Sequence, residues 1–124
     1  MARHHMTANG PVPFTPEEEA EWDAMEAAEA AKAGERLMQS IVDATQQRLD
    51  DFARTRNYDS MLSLCTYATS SNVKFQAEGL YGVDLRDATW AKCYHILTEV
   101  QLQLRPMPTG YADIEAELPV LAWP

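Results

Sequence analysis

The sequence predicts an all-α fold in which two long helices pack as a helical hairpin or bundle. Residues 81–104 carry apolar side chains at helical spacing, which is typical of an amphipathic helix. Residues 16–56 are rich in strong helix formers, with no proline beyond the first position and one glycine, Gly34. Because a long amphipathic helix is stable only when its apolar stripe is covered, we expect the two stretches to pack together.

The composition limits the kinds of partner that the chain can have. It contains 124 residues, carries a net charge of −9 and is 46% hydrophobic, which suits one domain with a modest core. The acidity argues against nucleic acid or an anionic membrane as a partner, because both would repel it. No apolar run approaches the roughly 18 residues that span a bilayer. The N-terminus lacks the apolar core of a secretory signal, so we expect a cytoplasmic site of synthesis.

Residues 1–15 are expected to form an extended arm outside the helical domain. Gly10-Pro11-Val12-Pro13 lacks two backbone donors and favours a polyproline-like path. Phe14 is the natural anchor for such an arm, on the domain itself or on a partner. His4 and His5 are interpreted as part of a solvated terminus rather than as a metal site.

Thr15-Pro16-Glu17-Glu18 predicts where the first helix begins. Thr15 is a good N-cap, Pro16 suits the first helical position, and Glu18 completes a capping box. The acidic run that follows favours the positive end of the helix dipole. The acids are therefore better explained by helix initiation than by metal binding.

The first helix is predicted to have two different halves. Residues 16–36 contain only Trp22 and Met25 as large apolar side chains, and alanines fill most other positions. A thin seam of this kind is typical of a helix that projects and binds a partner or a second copy. The alternative is that this half folds back on its own domain. A bend near Gly34 would separate it from residues 37–56, whose firmer apolar stripe belongs to the core.

Short elements are expected between the two long helices. Asp59 is predicted to cap a short buried helix over residues 60–68, and Asn72 is a candidate cap for the stretch that leads into the central helix. Gly79 and Gly82 weaken helix propensity. They indicate either the close approach of another backbone or a kink.

The C-terminal end combines a short helix with an apolar tail. Thr109 is expected to cap an acidic helix over residues 110–118, which a proline then closes. Residues 119–124 form the tail, whose large apolar side chains are each worth about 1.5–3 kcal/mol when buried. The tail must therefore pack into a groove, either on its own helices or on a neighbour.

These patterns assign domain limits and candidate side chains. The helical domain is expected to comprise residues 16–124, with residues 37–118 as the core bundle. The predicted core residues are Met38, Ile41, Leu49, Phe52, Phe75, Trp90, Tyr94 and Leu97. The predicted partner-binding residues are Phe14, Trp22, Met25, Val120, Leu121 and Trp123.

The sequence contains no familiar catalytic or cofactor-binding motif. It has no Gly-rich phosphate loop, Walker sequence, HExxH, paired CxxC or GxSxG elbow. A small hydrolase would need a site around Cys93 and His95, but their spacing places the two side chains on different helix faces. Cys65 and Cys93 are interpreted as small buried apolar residues rather than as a disulfide. We therefore predict a protein that is not an enzyme and that has no cofactor and no metal.

Several blocks in the second part of the chain resemble small tail-associated proteins of tailed bacteriophages and prophages. The blocks are Phe52–Asp59, Leu64–Ser70, Phe75–Gly79, Arg86–Ala91, Pro106–Pro108, Leu118–Pro119 and Trp123–Pro124. Together they span about residues 45–124. Such proteins are described as tail fibre assembly or tail structural proteins. The resemblance implies a non-enzymatic subunit of the tail, baseplate or fibre attachment, which resides in the virion tail after synthesis in the host cytoplasm.

The partners implied are other phage tail or fibre proteins, bound in a homo- or hetero-oligomer, with no nucleic acid and no membrane. One alternative is a tail fibre assembly chaperone that is not retained in the virion. A less favoured alternative is an acidic inhibitor of a host protein that mimics nucleic acid. Such mimicry needs negative charge spread at duplex-like spacing, whereas these acids cluster at the start of a helix.

Overall fold

The structure, a computed structural model, describes residues 3–124 and confirms the all-α class. The helices are α1 (Pro16–Arg54), α2 (Met61–Cys65) and α3 (Val73–Gln101), with 3-10 turns at Thr66–Thr69, Tyr111–Asp113 and Glu115–Glu117. The predicted long N-terminal helix and long central helix are thus both present. The chain divides into two compact units, a first that ends at Met38 and a second, Gln39–Pro124.

The N-terminal residues form an antiparallel β-hairpin, so the predicted polyproline-like path is wrong. Strands β1 (His4–Thr7) and β2 (Gly10–Pro13) pair with Thr7 opposite Gly10. The Thr7 hydroxyl closes the turn by donating to the Gly10 carbonyl at 2.6 Å, and Gly10 adopts a φ of 103° that favours glycine. A two-stranded ladder tolerates proline at positions whose backbone nitrogen faces away from the partner strand. Residues 1 and 2 of the predicted arm lie outside the described residues.

Helix α1 begins as the capping signal predicts. The Glu18 N–H donates to the Thr15 hydroxyl and the Thr15 N–H donates to the Glu18 carboxylate, both at 3.2 Å. This reciprocal pair is a capping box. The helix continues through Gly34 without interruption and ends at Arg54. Asn57 then adopts a left-handed φ of 69°, which turns the chain away from the helix axis.

Helix α2 and the 3-10 turn after it take the place of the single helix predicted over residues 60–68. Ser60 is the N-cap, not Asp59, because Ser60 is the residue in extended conformation and its hydroxyl accepts the backbone N–H three positions on at 3.2 Å. The carboxylate of Asp50 in α1 accepts the Met61 N–H at 2.9 Å. The start of α2 is therefore held directly by α1.

Helix α3 begins with the predicted cap, since the Asn72 side chain accepts the Phe75 N–H at 3.1 Å. The helix starts eight residues before the stripe from which it was predicted. Within it, a Cβ atom at Gly79 would lie 2.4 Å from the backbone nitrogen of Ala68. Of the two interpretations of this glycine, the close approach of another backbone is therefore the right one.

Gly82 makes a second close approach, one turn further along α3. A Cβ atom there would lie 2.7 Å from the Leu64 side chain of α2. The two glycines bring α3 against α2 and the Thr66–Thr69 turn at a distance that an alanine would not permit. This contact sets the depth to which α2 is buried.

The core of the second unit draws on all three of its helices. Its buried cluster contains Leu49, Phe52, Ala53, Tyr58, Met61, Leu64, Cys65 and Leu85. Two predicted core residues thus belong to the cluster, and Trp90 packs against it. Ile41 and Leu97 are half-buried.

Three predicted core residues lie at the surface instead. The exposed fractions of Met38, Phe75 and Tyr94 are 48%, 40% and 70%. For Tyr94 the reason is that α3 buries a different face, which carries Glu78, Gly82, Leu85, Thr89 and Ile96. At about 100° per residue, this face lies roughly 160° from Tyr94. Only Leu85 and Ile96 on this face are large and apolar, so the stripe of larger residues placed the buried face too far round the helix, although Trp90 at its edge still packs against the core.

Candidate protein-binding surfaces

In the first unit, Arg3 docks the hairpin on α1. Its backbone N–H donates to the Glu19 carboxylate at 2.9 Å, and its guanidinium lies 2.9 Å from Asp23 and 3.0 Å from Glu26. The acidic run therefore does more than initiate the helix, since three of its carboxylates hold one arginine. Pairs of this kind act best as a network, because single exposed ion pairs contribute little.

His5 and Phe14 add a second contact between the hairpin and α1. His5 pairs with Glu18, and this hydrogen bond is the main reason that the pKa of Glu18 lies below its usual value. The Phe14 ring lies 4.3 Å from the His5 ring and 6.1 Å from the Trp22 ring, measured between centroids. Phe14, predicted to bind a partner, is thus half-buried within its own unit. Trp22 and Met25 keep exposed fractions of 44% and 61%.

The remaining surface of this half of α1 is uncovered. Every residue from 20 to 36 is exposed. One side of the helix carries small residues at alternating spacings of four and three, a repeat that suits close helix packing. We call this side the alanine face; it consists of Ala20, Ala24, Ala27, Ala31 and Gly34.

The hairpin does not cover the alanine face. Its contacts are with Glu18, Glu19, Trp22, Asp23 and Glu26. At about 100° per residue, Trp22 lies roughly 160° around the helix from Ala24. The hairpin contacts are therefore centred away from the alanine face, and Asp23, about 40° from Ala27, lies at the boundary between them.

In the second unit, the C-terminal tail packs on its own helices. The Trp123 ring stacks on Phe52 with centroids 4.4 Å apart, and its indole N–H donates to the Thr55 hydroxyl at 2.9 Å. Arg48 donates to the Pro119 carbonyl at 2.9 Å and so holds the other end of the tail. The tail was expected to pack either on its own helices or on a neighbour, and it packs on its own helices. Two of the predicted partner-binding residues, Leu121 and Trp123, contact the core of their own unit, whereas Val120 is exposed.

A buried charge lies beneath the tail. Glu78 is 4% exposed, accepts a hydrogen bond from Arg56 at 2.9 Å and a longer one from the Tyr58 hydroxyl at 3.4 Å. The Arg56 guanidinium also lies 4.9 Å from the centre of the Trp123 ring. Burial, and then the neighbouring Glu78, raises the pKa of Tyr58. Because each charge faces its opposite, this cluster ties the end of α1 to α3 and to the tail.

A shallow, open groove of about 520 Å³ lies beside the tail, lined by residues from Ala44 in α1 to Thr55, just beyond the end of the helix. Phe52 of α1 and Leu121 of the tail form its apolar walls. Arg48 lines it as well and is largely buried; its Nη1 atom is 3.8 Å from the Glu115 carboxylate. The Arg48 Nε–H group is buried and has no hydrogen-bond acceptor among residues 3–124. Because the Nε atom is buried, it is closed to a ligand that enters the groove.

The two residues weighed for catalysis do not come together. His95 is exposed and pairs with Glu99 at 3.0 Å, whereas Cys93 is half-buried and interacts with Thr45. Burial raises the pKa of Cys93, which favours the neutral thiol over the nucleophilic thiolate. Cys65 and Cys93 are both free.

The part of the chain that the structure describes has neither a cluster of metal ligands nor a helix suited to crossing a membrane. Residues 3–124 hold no group of three or more His, Cys, Asp or Glu side chains placed to share a metal ion. Nor does any helix within these residues combine the length and apolarity that crossing a membrane requires.

No protein-family model, curated protein sequence or solved structure matches the chain. The resemblance of residues 45–124 to phage tail-associated proteins stays a prediction.

Sequence patterns alone did not single out Arg48 or the Glu78–Arg56 pair. Arg48 lies at the edge of the face that α1 buries, between Thr45 and Phe52. Charged side chains are rarely buried unless they are paired, so an arginine at this position could have indicated an ion pair or hydrogen bond. Glu78 directly precedes Gly79, where the backbones approach closely. A charge beside such a glycine could have indicated a buried ion pair.

Proposed function

We propose that this protein is a non-enzymatic, protein-binding subunit of a bacteriophage tail, baseplate or fibre attachment. The protein-binding role is supported mainly by the exposure of every residue from 20 to 36 in α1. A helix gains most of its stability from packing an apolar face, and among residues 3–124 the alanine face of this half stays exposed. Small side chains allow another helix to approach closely, so a helix of a partner protein is the natural cover.

The hairpin supports the same proposal. It holds the start of α1 through Arg3 and Phe14 while leaving the residues of the alanine face exposed. A segment held in helical conformation before binding loses less conformational entropy when a partner covers it. This half of α1 is therefore prepared for association.

The assignment to a phage tail rests on the resemblance of residues 45–124. The net charge of −9 fits a role among proteins rather than on nucleic acid. A tail subunit and an assembly chaperone would use the same surface. They differ in whether the protein stays in the finished particle.

Placing acids on the alanine face is expected to prevent incorporation into particles. In Ala24→Glu/Ala31→Glu both changes lie on exposed positions, so the isolated chain should keep its stability to within about 0.5 kcal/mol. Burying two unpaired carboxylates in an interface costs more than the roughly 1.4 kcal/mol that corresponds to tenfold in affinity. Quantitative mass spectrometry of purified phage particles should therefore show at least a roughly tenfold lower content of the variant than of the wild type.

Ala33→Glu is the matched control, because it makes the same change at an exposed position on the other side of α1. Its content in particles should equal that of the wild type. If the wild type is absent from particles and only Ala24→Glu/Ala31→Glu blocks assembly, the protein is the chaperone. Equal incorporation and equal particle yield for both variants would contradict a binding role for the alanine face.

A further inference from the structure

We propose that the outer edge of β1 binds an extended, basic segment of a partner protein, which adds a third strand to the hairpin. The edge belongs to residues 4–7 and shares no residue with the alanine face. It would therefore give the proposed protein-binding subunit a second, separate contact.

The pairing register of the hairpin shows which main-chain groups point outward. Arg3 and Phe14 form a hydrogen-bonded pair, since the Phe14 N–H donates to the Arg3 carbonyl at 3.0 Å. In an antiparallel ladder, such pairs alternate with pairs that are not bonded to each other, whose N–H and carbonyl groups point away from the partner strand. The next residue, His4, lies opposite Pro13 and belongs to the second kind of pair, as does Met6. The main-chain groups of His4 and Met6 therefore face outward.

The two edges of the hairpin differ in what they offer to a new strand. The outward positions of β2 are Pro11 and Pro13, which lie opposite Met6 and His4 and have no N–H. Proline on an edge strand hinders the addition of a further strand. Strand β1 contains no proline, so its edge offers two N–H and two carbonyl groups. The protection of one edge alone indicates that the other edge is kept open for pairing.

The open edge is accessible to a partner. His4 and Met6 are exposed, Met6 to 83%. Among residues 3–124, neither forms a hydrogen bond with α1 or with a side chain. Alternate residues along a strand lie about 6.6–7 Å apart, a spacing that another extended chain repeats. The occupant that pairs all four main-chain groups is therefore an extended segment.

The charge of the first unit decides which extended segment fits. Residues 3–38 contain eight acids but only three lysines or arginines. Glu17 and Glu21 are exposed and form no ion pair with any residue from 3 to 124. A second copy of the chain would bring an equally acidic helix to the edge and would be repelled, whereas a segment with lysine or arginine would be attracted. The occupant is therefore a basic segment of a partner.

A random peptide display library, selected on the full chain, tests this occupant. The enriched peptides should be rich in lysine or arginine and in residues that favour strands. A synthetic peptide with the enriched sequence is then methylated at one backbone nitrogen at a time, and its binding is measured by fluorescence anisotropy. Methyl groups at alternate residues should weaken binding at least roughly tenfold, and those between them at most about threefold, because every second N–H of the added strand faces β1.

Met6→Pro is the variant that closes the edge. It removes an outward N–H and leaves the ladder with β2 intact, as Pro11 does on the other strand, so the peptide should bind at least roughly tenfold more weakly. Met6→Ala is the matched control, since it removes the same side chain but keeps the N–H, and the affinity should stay within about threefold. Nuclear magnetic resonance contacts between the Phe14 and Trp22 rings, whose centroids lie 6.1 Å apart, would show that the hairpin of Met6→Pro stays docked.

Glu17→Gln/Glu21→Gln tests the charge separately from the main-chain pairing. It changes only exposed carboxylates, and it should weaken binding about two- to fivefold and reduce the preference for basic residues. Ala24→Glu/Ala31→Glu should still bind the peptide, so this proposal and the proposed function can fail separately.

Four results would overturn the proposal. They are a library without enrichment, an acidic consensus, methylation effects that do not alternate, and full binding by a Met6→Pro variant whose hairpin stays docked. A dimer of the wild type that Met6→Pro dissociates, detected by light scattering, would also overturn it, because the occupant would then be a second copy.

Discussion

Gly79→Ala is expected to destabilise the second unit by about 1–3 kcal/mol, the usual cost of overpacking. The new methyl group would lie 2.4 Å from the backbone nitrogen of Ala68, and a backbone atom cannot move aside as a flexible side chain can. The gain in helix propensity, about 1 kcal/mol for glycine to alanine, only partly offsets this clash. Urea unfolding in a Trp22→Phe background would report the change, because Trp90 and Trp123 both belong to the second unit.

Gly34→Ala is the control that separates propensity from contact. Gly34 lies inside α1, and a side chain there would meet open space. The same substitution should therefore stabilise the helix by about 1 kcal/mol. If Gly79→Ala instead stabilised the protein as Gly34→Ala does, α3 and the Thr66–Thr69 turn would not be in close contact.

Leu64→Ala is expected to cost about 2–5 kcal/mol of unfolding free energy. Leu64 is completely buried in α2 and packs against Gly82, so its removal leaves a cavity that the closely packed backbones cannot collapse to fill. An ordinary domain has only about 5–15 kcal/mol of stability, so the variant would lose a large share of it and melt at a clearly lower temperature. Thermal melts followed by circular dichroism would measure the loss.

Leu62→Ala makes the same change two residues away in α2, where the leucine is 68% exposed. We expect a change of less than about 0.5 kcal/mol, because little apolar surface is uncovered. Equal costs for the two leucines would show that α2 is oriented differently from the structure described.

Local signals in the sequence predicted the ends of helices well. Thr15 and Glu18 form the capping box expected of them, and Asn72 caps α3. Such signals are reliable because the groups that satisfy the first backbone donors of a helix lie within a few residues of it. The all-α class likewise follows from composition and spacing over long stretches.

The buried face of α3 could not be predicted in the same way. Gly82 lies on that face because the Leu64 side chain of α2 packs against it, and the buried Thr89 hydroxyl donates to the Leu85 carbonyl; neither residue is hydrophobic. Tyr94 and Phe75 are apolar but exposed. Hydrophobic spacing finds a buried face only when large side chains fill it, so a face selected for close approach is overlooked.

The candidate surfaces were predicted in part. Trp22 and Met25 are exposed on α1, and the tail was expected to pack on its own helices or on a neighbour. The choice between those alternatives depends on Thr55 and Phe52, which lie some seventy residues before Trp123 in the chain. Arg48 was missed for the same reason, because its partners, Pro119 and Glu115, are distant in sequence.

Hydrogen exchange of the backbone amides of residues 20–36 tests the central claim most directly. In the isolated chain, shown to be monomeric by light scattering, these amides should exchange much faster than those around Leu49, because every residue from 20 to 36 is exposed. In the purified assembly they should become protected. Slow exchange already in the monomer, or unchanged fast exchange in the assembly, would contradict a partner-binding role for this half of α1.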